Sequence, residues 1–118
     1  MMPRDTNQYG TIFGGVILSY IDQAGHAGAQ HVIRSAGWPD PVLVTVALDR
    51  VEFREPVFVG DVVSFWSTVL RVGRTSITVQ VEVETRRQER QLGLTRAEVT
   101  YVSVAERDGQ RQPVPIRP

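Results

Sequence analysis

Apolar positions recur at three- and four-residue steps from about Gly14 to Ala36, then at two-residue steps after Pro41. In the first stretch Ile17, Tyr20, Ile21, Ala24, Gly28 and Val32 line one stripe, which predicts an amphipathic helix. Gly25, Ala27, Gly28 and Ala29 carry little bulk, so another surface can approach the helix backbone closely, although each Gly costs about 1 kcal/mol against Ala. Such a helix expects to be enclosed. Gly37 and the segment Trp38-Pro39-Asp40-Pro41 supply a stop and a stiff connection. Ahead of the helix, Pro3 to Gly10 mixes Pro, Asp, Thr, Asn and Gly and reads as an ordered loop.

The alternating, β-branched and aromatic region predicts strands near Val42–Phe53, Asp61–Val72, Thr75–Arg86 and Leu94–Ala105. Pro56 to Gly60 turns the first strand into the second, and Arg71-Val72-Gly73-Arg74 reads as a tight hairpin. The run Arg87 to Gly93 reads as a longer polar hairpin tip, and Asp108-Gly109 with Pro113, Pro115 and Pro118 ends the sheet. One long helix followed by four long antiparallel strands predicts a single α+β domain over 1–118, a curved sheet wrapped around a helix. Long alternating edge strands are usually protected by pairing with a second copy, so a homodimer is expected.

Composition prunes the chemistry. Without Cys there is no thiolate nucleophile, disulfide or Cys-ligated metal. All 13 basic residues are Arg, which removes Schiff-base chemistry and a P-loop lysine. There is no G-x-S-x-G elbow, and His26 and His31 are spaced to face different sides of a helix, so neither a serine triad nor a metal site is expected. Zero net charge gives no overall attraction to nucleic acid or anionic membrane. No apolar run approaches the roughly 18 to 20 residues of a spanning helix, and Met1 to Tyr9 lack a signal-peptide layout, so the cytoplasm is the expected location. Carboxylate, amide, hydroxyl and backbone N–H remain for proton chemistry.

The segment Pro3-Arg4-Asp5-Thr6-Asn7-Gln8-Tyr9-Gly10-Thr11-Ile12-Phe13-Gly14-Gly15, continuing to Asp22-Gln23-Ala24-Gly25, closely resembles the signature of hotdog-fold acyl-CoA thioesterases, the acyl-CoA hydrolase family. Val44-Thr45-Val46-Ala47, Phe53 with Pro56-Val57, Val59-Gly60-Asp61-Val62-Val63, Val72-Gly73-Arg74-Thr75-Ser76 and Val81-Glu82-Val83 look like that family's successive strands and turns. The resemblance implies a hotdog fold, hydrolysis of acyl-CoA to free CoA and a carboxylic acid, and no cofactor beyond the substrate's own coenzyme. Members of that family usually carry a short strand upstream of this loop, whereas this chain begins almost at Pro3, so the expected sheet is one strand short, with an altered edge.

Asp22 sits among Ile17, Tyr20, Ile21 and Ala24; it is either a solvated helix carboxylate or, partly desolvated, a general base. The resemblance places the catalytic carboxylate at Asp22, to activate the attacking water or, as a minority alternative, to attack the thioester itself. Asn7 is a turn residue on one reading. The resemblance assigns it a catalytic role, which for a neutral amide is to position water or donate to the developing oxyanion. Gly14 and Gly15 either merely begin the helix or let a carbonyl reach its free N–H groups. Gly15 and Asp22 stand roughly 10 Å apart along a helix at 1.5 Å per residue. One thioester carbonyl needs both within about 3 Å, so the two ends are inferred to come from different subunits, in agreement with the shared site of the family.

Arg71, Gly73, Arg74, Thr75 and Ser76 offer guanidinium forks, hydroxyls and open backbone suited to the phosphates of CoA, or else form an exposed, solubilising hairpin. Arg86 and Arg87 are expected in a solvated hairpin stem, Asp49 and His26 as structural or surface residues, and Trp38 and Trp66 in the core or an interface. A hotdog hydratase or dehydratase would pair its carboxylate with a catalytic His, and no such motif is present. A non-catalytic acyl-CoA sensor would accompany a DNA-binding segment or basic stripe, which is also missing. The expected assembly is a dimer or a trimer of dimers.

Overall fold

In the computed structural model, residues 14–117 are described. They form α1 (Gly14–Ser35), β1 (Val42–Phe53), β2 (Val63–Val72), β3 (Ser76–Arg87), β4 (Arg90–Arg107) and β5 (Gln110–Pro113). The antiparallel sheet runs in the order β1-β4-β3-β2, with β5 paired to the far end of β4. Among the described residues β1 and β2 are the two edges.

The helix ends as the sequence predicts. Gly37 adopts φ 75°, its amide donates to Arg34 O, and the Trp38 amide donates to Ile33 O. That pair of bonds is a Schellman cap, and Trp38 packs against the core beside Ile33 as such caps favour. The buried stripe differs in phase from the expected one: it is Ile17, Ile21, Gly25, Ala29 and Ile33, four residues apart, while Tyr20 is exposed and Val32 half-buried. The small residues explain the shift, because helix and sheet come closest where bulk is missing. A Cβ on Gly25 would lie 2.5 Å from the Tyr101 hydroxyl, and one on Gly28 would lie 2.2 Å from Ser67 Oγ. Against this stripe β3 sets Ile77, Val79, Val81 and Val83, and β4 sets Ala97, Val99 and Tyr101, all fully buried. Each such valine or isoleucine contributes about 1.5 to 3 kcal/mol of transfer free energy.

Bulges interrupt the alternation and bend the sheet around the helix: pairing skips between Thr45 and Ala47, Asp49 and Glu52, Val69 and Arg71, and Val83 and Glu84. Two expectations need correction. The polar tip Arg87 to Gly93 is instead strand up to Arg87 and again from Arg90, joined by Gln88 and Glu89, both at positive φ (50° and 62°). Such primed two-residue turns match strand twist, but their usual Asn-Gly signal is missing from Gln-Glu. The tail does not end the sheet at Asp108-Gly109; those residues (φ 55° and 75°) form another such turn, into β5. Beyond β5, the Ile116 amide donates to Arg74 O and its side chain is buried.

β2 begins at Val63 rather than Asp61 because Asp61 closes the preceding turn. Its carboxylate accepts the Phe58 amide (2.8 Å) and the Arg87 guanidinium, which also donates to Pro56 O and lies over the Phe58 ring. Arg87 is therefore a turn clasp, not a solvated stem. Chiefly through the Arg87 bond, and against the opposing effect of burial, the Asp61 carboxyl is held below the usual carboxylate range. A group with a depressed folded-state pKa stabilises the fold fully above its unfolded value, near ~4, and loses that contribution as pH falls through the folded value. Asp61→Asn is expected to cost about 1 to 2 kcal/mol at pH 7. In urea titrations at pH 7 and pH 3, the gap between variant and wild type should narrow at the lower pH; an equal gap at both would remove the ion pair as its cause.

Candidate active site

Asp22 lies one turn past Ile17 on the flank of the buried stripe, half-buried, on the side of the helix that leans toward β1. Two residues of the sheet grip it. Thr45 Oγ1 donates to Asp22 Oδ1 at 2.8 Å, and the Tyr101 hydroxyl donates to the Asp22 backbone carbonyl at 2.7 Å. Thr45 and Tyr101 are direct partners across the β1–β4 ladder. Carboxylate and backbone of one residue are thus tied to adjacent positions of the sheet, and among the described residues no donor is bonded to the other carboxylate oxygen. Burial first, and then the charge of Asp22, push the Tyr101 phenol above its ordinary range, so it stays a neutral donor.

β1 is an edge, and Thr45 lies on it, so the carboxylate held by Thr45 stands at the boundary of the described chain. Val46, the next residue, bulges out of the ladder and is exposed, as is Val42. Gly14 and Gly15 open the helix and are both exposed, with the Phe53 ring against Gly14. A cavity of about 360 Å³ beside them is walled by Ile17, Phe53, Pro56, Val57, Arg54 and Thr95, among others. The first helical N–H groups have no partner within the helix itself, so the start of α1 offers donors next to an apolar wall. Asn7 lies outside the described residues.

Arg71, Gly73, Arg74, Thr75 and Ser76 gather at the β2–β3 turn, beside Trp38 and so at the C-terminal end of α1, away from Gly14 and Gly15. The turn is closed by the Gly73 amide on Ser76 O, and both arginines are exposed. A cavity of about 490 Å³ is lined by Val72, Gly73, Arg74, Pro115 and Arg117. Arg117 donates to Val72 O, sits over the Trp38 ring and shares the wall of this cavity with Arg74. Nothing in the sequence marks Arg117, Thr45 or Tyr101 as candidate site residues: each is brought in by pairing between distant segments.

His26 packs edge-on against Tyr101 and His31 is exposed. Asp49 is exposed, as expected. Trp38 packs on the core, whereas Trp66 does not: it is 59% exposed, on the outer side of β2. Among the described residues no group of three or more His, Asp or Glu side chains is placed to hold a metal ion, and no helix is long and apolar enough to cross a membrane.

Residues 9–91 match the thioesterase superfamily. An uncharacterized acyl-CoA thioester hydrolase of Haemophilus influenzae is 43% identical over 82 residues, 70% of this chain and 49% of that protein, so this match spans about half the relative's length. Another uncharacterized acyl-CoA thioester hydrolase, of Zymomonas mobilis, is 35% identical over 118 residues, 99% of this chain and 74% of the relative. The crystal structure of a hexameric hotdog-fold thioesterase of Campylobacter jejuni superposes with TM-score 0.78 at 45% identity, covering 96% of this chain and 84% of the other. The chain belongs to the thioesterase superfamily, in its branch of hotdog-fold acyl-CoA thioester hydrolases.

Proposed function

We propose that this protein hydrolyses acyl-CoA thioesters, with Asp22 of one chain activating water at a site whose oxyanion donors come from a second chain. The observation that carries the reading is the Thr45 bond, which sets the Asp22 carboxylate beside β1, a sheet edge among the described residues. The N–H groups that open the helix at Gly14 and Gly15, with the Asn7 amide, are the counterpart: donors for the negative charge that develops on the thioester oxygen as water attacks. Within one chain the helix keeps Gly15 roughly 10 Å from Asp22, too far for one carbonyl. Two copies paired through β1 would lay their helices side by side in opposite directions, bringing the start of one beside Asp22 of the other. Burying Val42 and Val46 favours the same pairing. The proposed assembly is a homodimer, repeated as a trimer of dimers in keeping with the hexameric Campylobacter jejuni relative. A cytoplasmic location fits an acyl-CoA substrate.

Water attacks the carbonyl carbon, Asp22 takes its proton, and collapse of the tetrahedral intermediate expels the CoA thiolate, which is protonated on release. The Ile17, Phe53 and Val57 wall suits the acyl portion, and Arg74 with Arg117 suits the phosphates. Purified protein incubated with acyl-CoAs of several chain lengths and a thiol-reactive dye should release free CoA. The rate should be unchanged after dialysis against a strong chelator. Binding without thiol release would make the protein an acyl-CoA sensor, and a chelator-sensitive rate restored by one divalent ion would refute the metal-free mechanism.

Arg74→Ala is expected to raise KM for acyl-CoA by roughly three- to tenfold with kcat little changed, the mark of binding lost equally from ground and transition states. The same variant should show wild-type KM toward an acyl-pantetheine substrate, which has no nucleotide phosphates. A KM raised equally for both substrates would place the phosphates elsewhere.

A further inference from the structure

Asp22 is gripped twice, and the second grip has a matching gap cut for it in the helix. Tyr101 is fully buried, yet its hydroxyl reaches past the helix surface to a backbone carbonyl at 2.7 Å. It gets there only because residue 25 has no side chain: a Cβ at that position would fall 2.5 Å from the hydroxyl oxygen. A helix carbonyl normally accepts from the amide four residues on, so the phenol adds a second donor to a group already served. Burying a tyrosine hydroxyl requires some partner, and this one is found on the residue whose carboxylate meets Thr45, the cross-strand neighbour of Tyr101.

We infer that Tyr101 is a positioning residue for hydrolysis, pinning the helical turn of Asp22 to β4 through the space left by Gly25, so that the carboxylate meets its water at a fixed height above β1. This rests on Asp22 being the base. Tyr101 does not touch substrate; its effect passes through Asp22, and sub-ångström displacement of a base is enough to slow proton transfer strongly.

The test is a set of variants assayed at steady state, with single turnover at excess enzyme for those too slow to follow otherwise. Tyr101→Phe keeps the ring and removes the donor; kcat should fall roughly tenfold with KM unchanged. Gly25→Ala, which drives the hydroxyl off its carbonyl with the tyrosine retained, should lower kcat by a similar factor. In the Gly25→Ala/Tyr101→Phe double variant the colliding oxygen is gone, so the rate should be no lower than in Tyr101→Phe alone. In an Asp22→Asn background Tyr101→Phe should change the remaining rate less than twofold, because the residue it acts through no longer works as a base.

A wild-type rate in Tyr101→Phe beside a crippled Asp22→Asn overturns this inference and leaves the base intact. An equal loss from Tyr101→Phe in both backgrounds, or multiplied losses in the Gly25 and Tyr101 double variant, makes the tyrosine a general structural residue and likewise overturns it. Should Tyr101→Phe fail to fold, the decision falls to Gly25→Ala, compared in the presence and absence of the Asp22→Asn change. A wild-type rate in Asp22→Asn removes the base and this inference together.

Discussion

Asp22→Asn is expected to lower kcat at least a hundredfold while acyl-CoA binding is largely kept. The amide has the shape of the carboxylate and can still accept the Thr45 hydroxyl bond at 2.8 Å, so the turn and its grip on the sheet survive. It cannot take a proton from water at neutral pH, and general-base catalysis contributes typically 10² to 10⁴ in rate. An effect confined to kcat, with KM and thermal stability close to wild type, separates loss of the base from loss of the fold. If the variant retains more than about a tenth of the wild-type rate, Asp22 is not the base.

Mixing two inactive variants should give an active protein. Asn7→Ala chains and Asp22→Asn chains, denatured together and refolded, form mixed dimers in about half of all pairings. Each mixed dimer has one site carrying both lesions and one carrying neither. Recovery should therefore approach roughly a quarter of the wild-type rate per chain when the sites work independently. Verified exchange of chains by mass spectrometry, with the mixture as inactive as its parents, would falsify the shared site and place the whole constellation in one chain.

The helix, with its Gly37 stop, and the first strand were legible in the sequence to within a residue, because periodicity and stop signals are local. The sheet was legible as four strands but not five. The turns at Gln88-Glu89 and Asp108-Gly109 draw their stability from the flanking ladder, and only Asp108-Gly109 shows the composition of a primed turn. In the site, Asp22 stood out as a carboxylate among apolar helical neighbours. Its partners did not. Thr45 and Tyr101 are 56 residues apart in a 118-residue chain and meet only through the β1–β4 register, which bulges on both sides of Ala47 and Leu48 make hard to count from alternation. The phase of the helix is hidden for a related reason: bulky Tyr20 and Val32 look like core residues, while the sheet packs on the small residues Gly25 and Ala29. Arg117 was hidden because the tail read as the end of the sheet, when β5 turns the chain back to the β2–β3 hairpin.

With the site shared across β1 as proposed, catalysis depends on the amount of enzyme present. A separated chain, holding Asp22 without a partner's oxyanion donors, would then be a silent reservoir, with mass action governing how much of the protein works. Rate per chain is expected to rise with total protein concentration and to level off once pairing is complete. A substitution between Val42 and Phe53 that loosens the seam without touching any reacting group would be harmless in a concentrated solution and crippling in a dilute one.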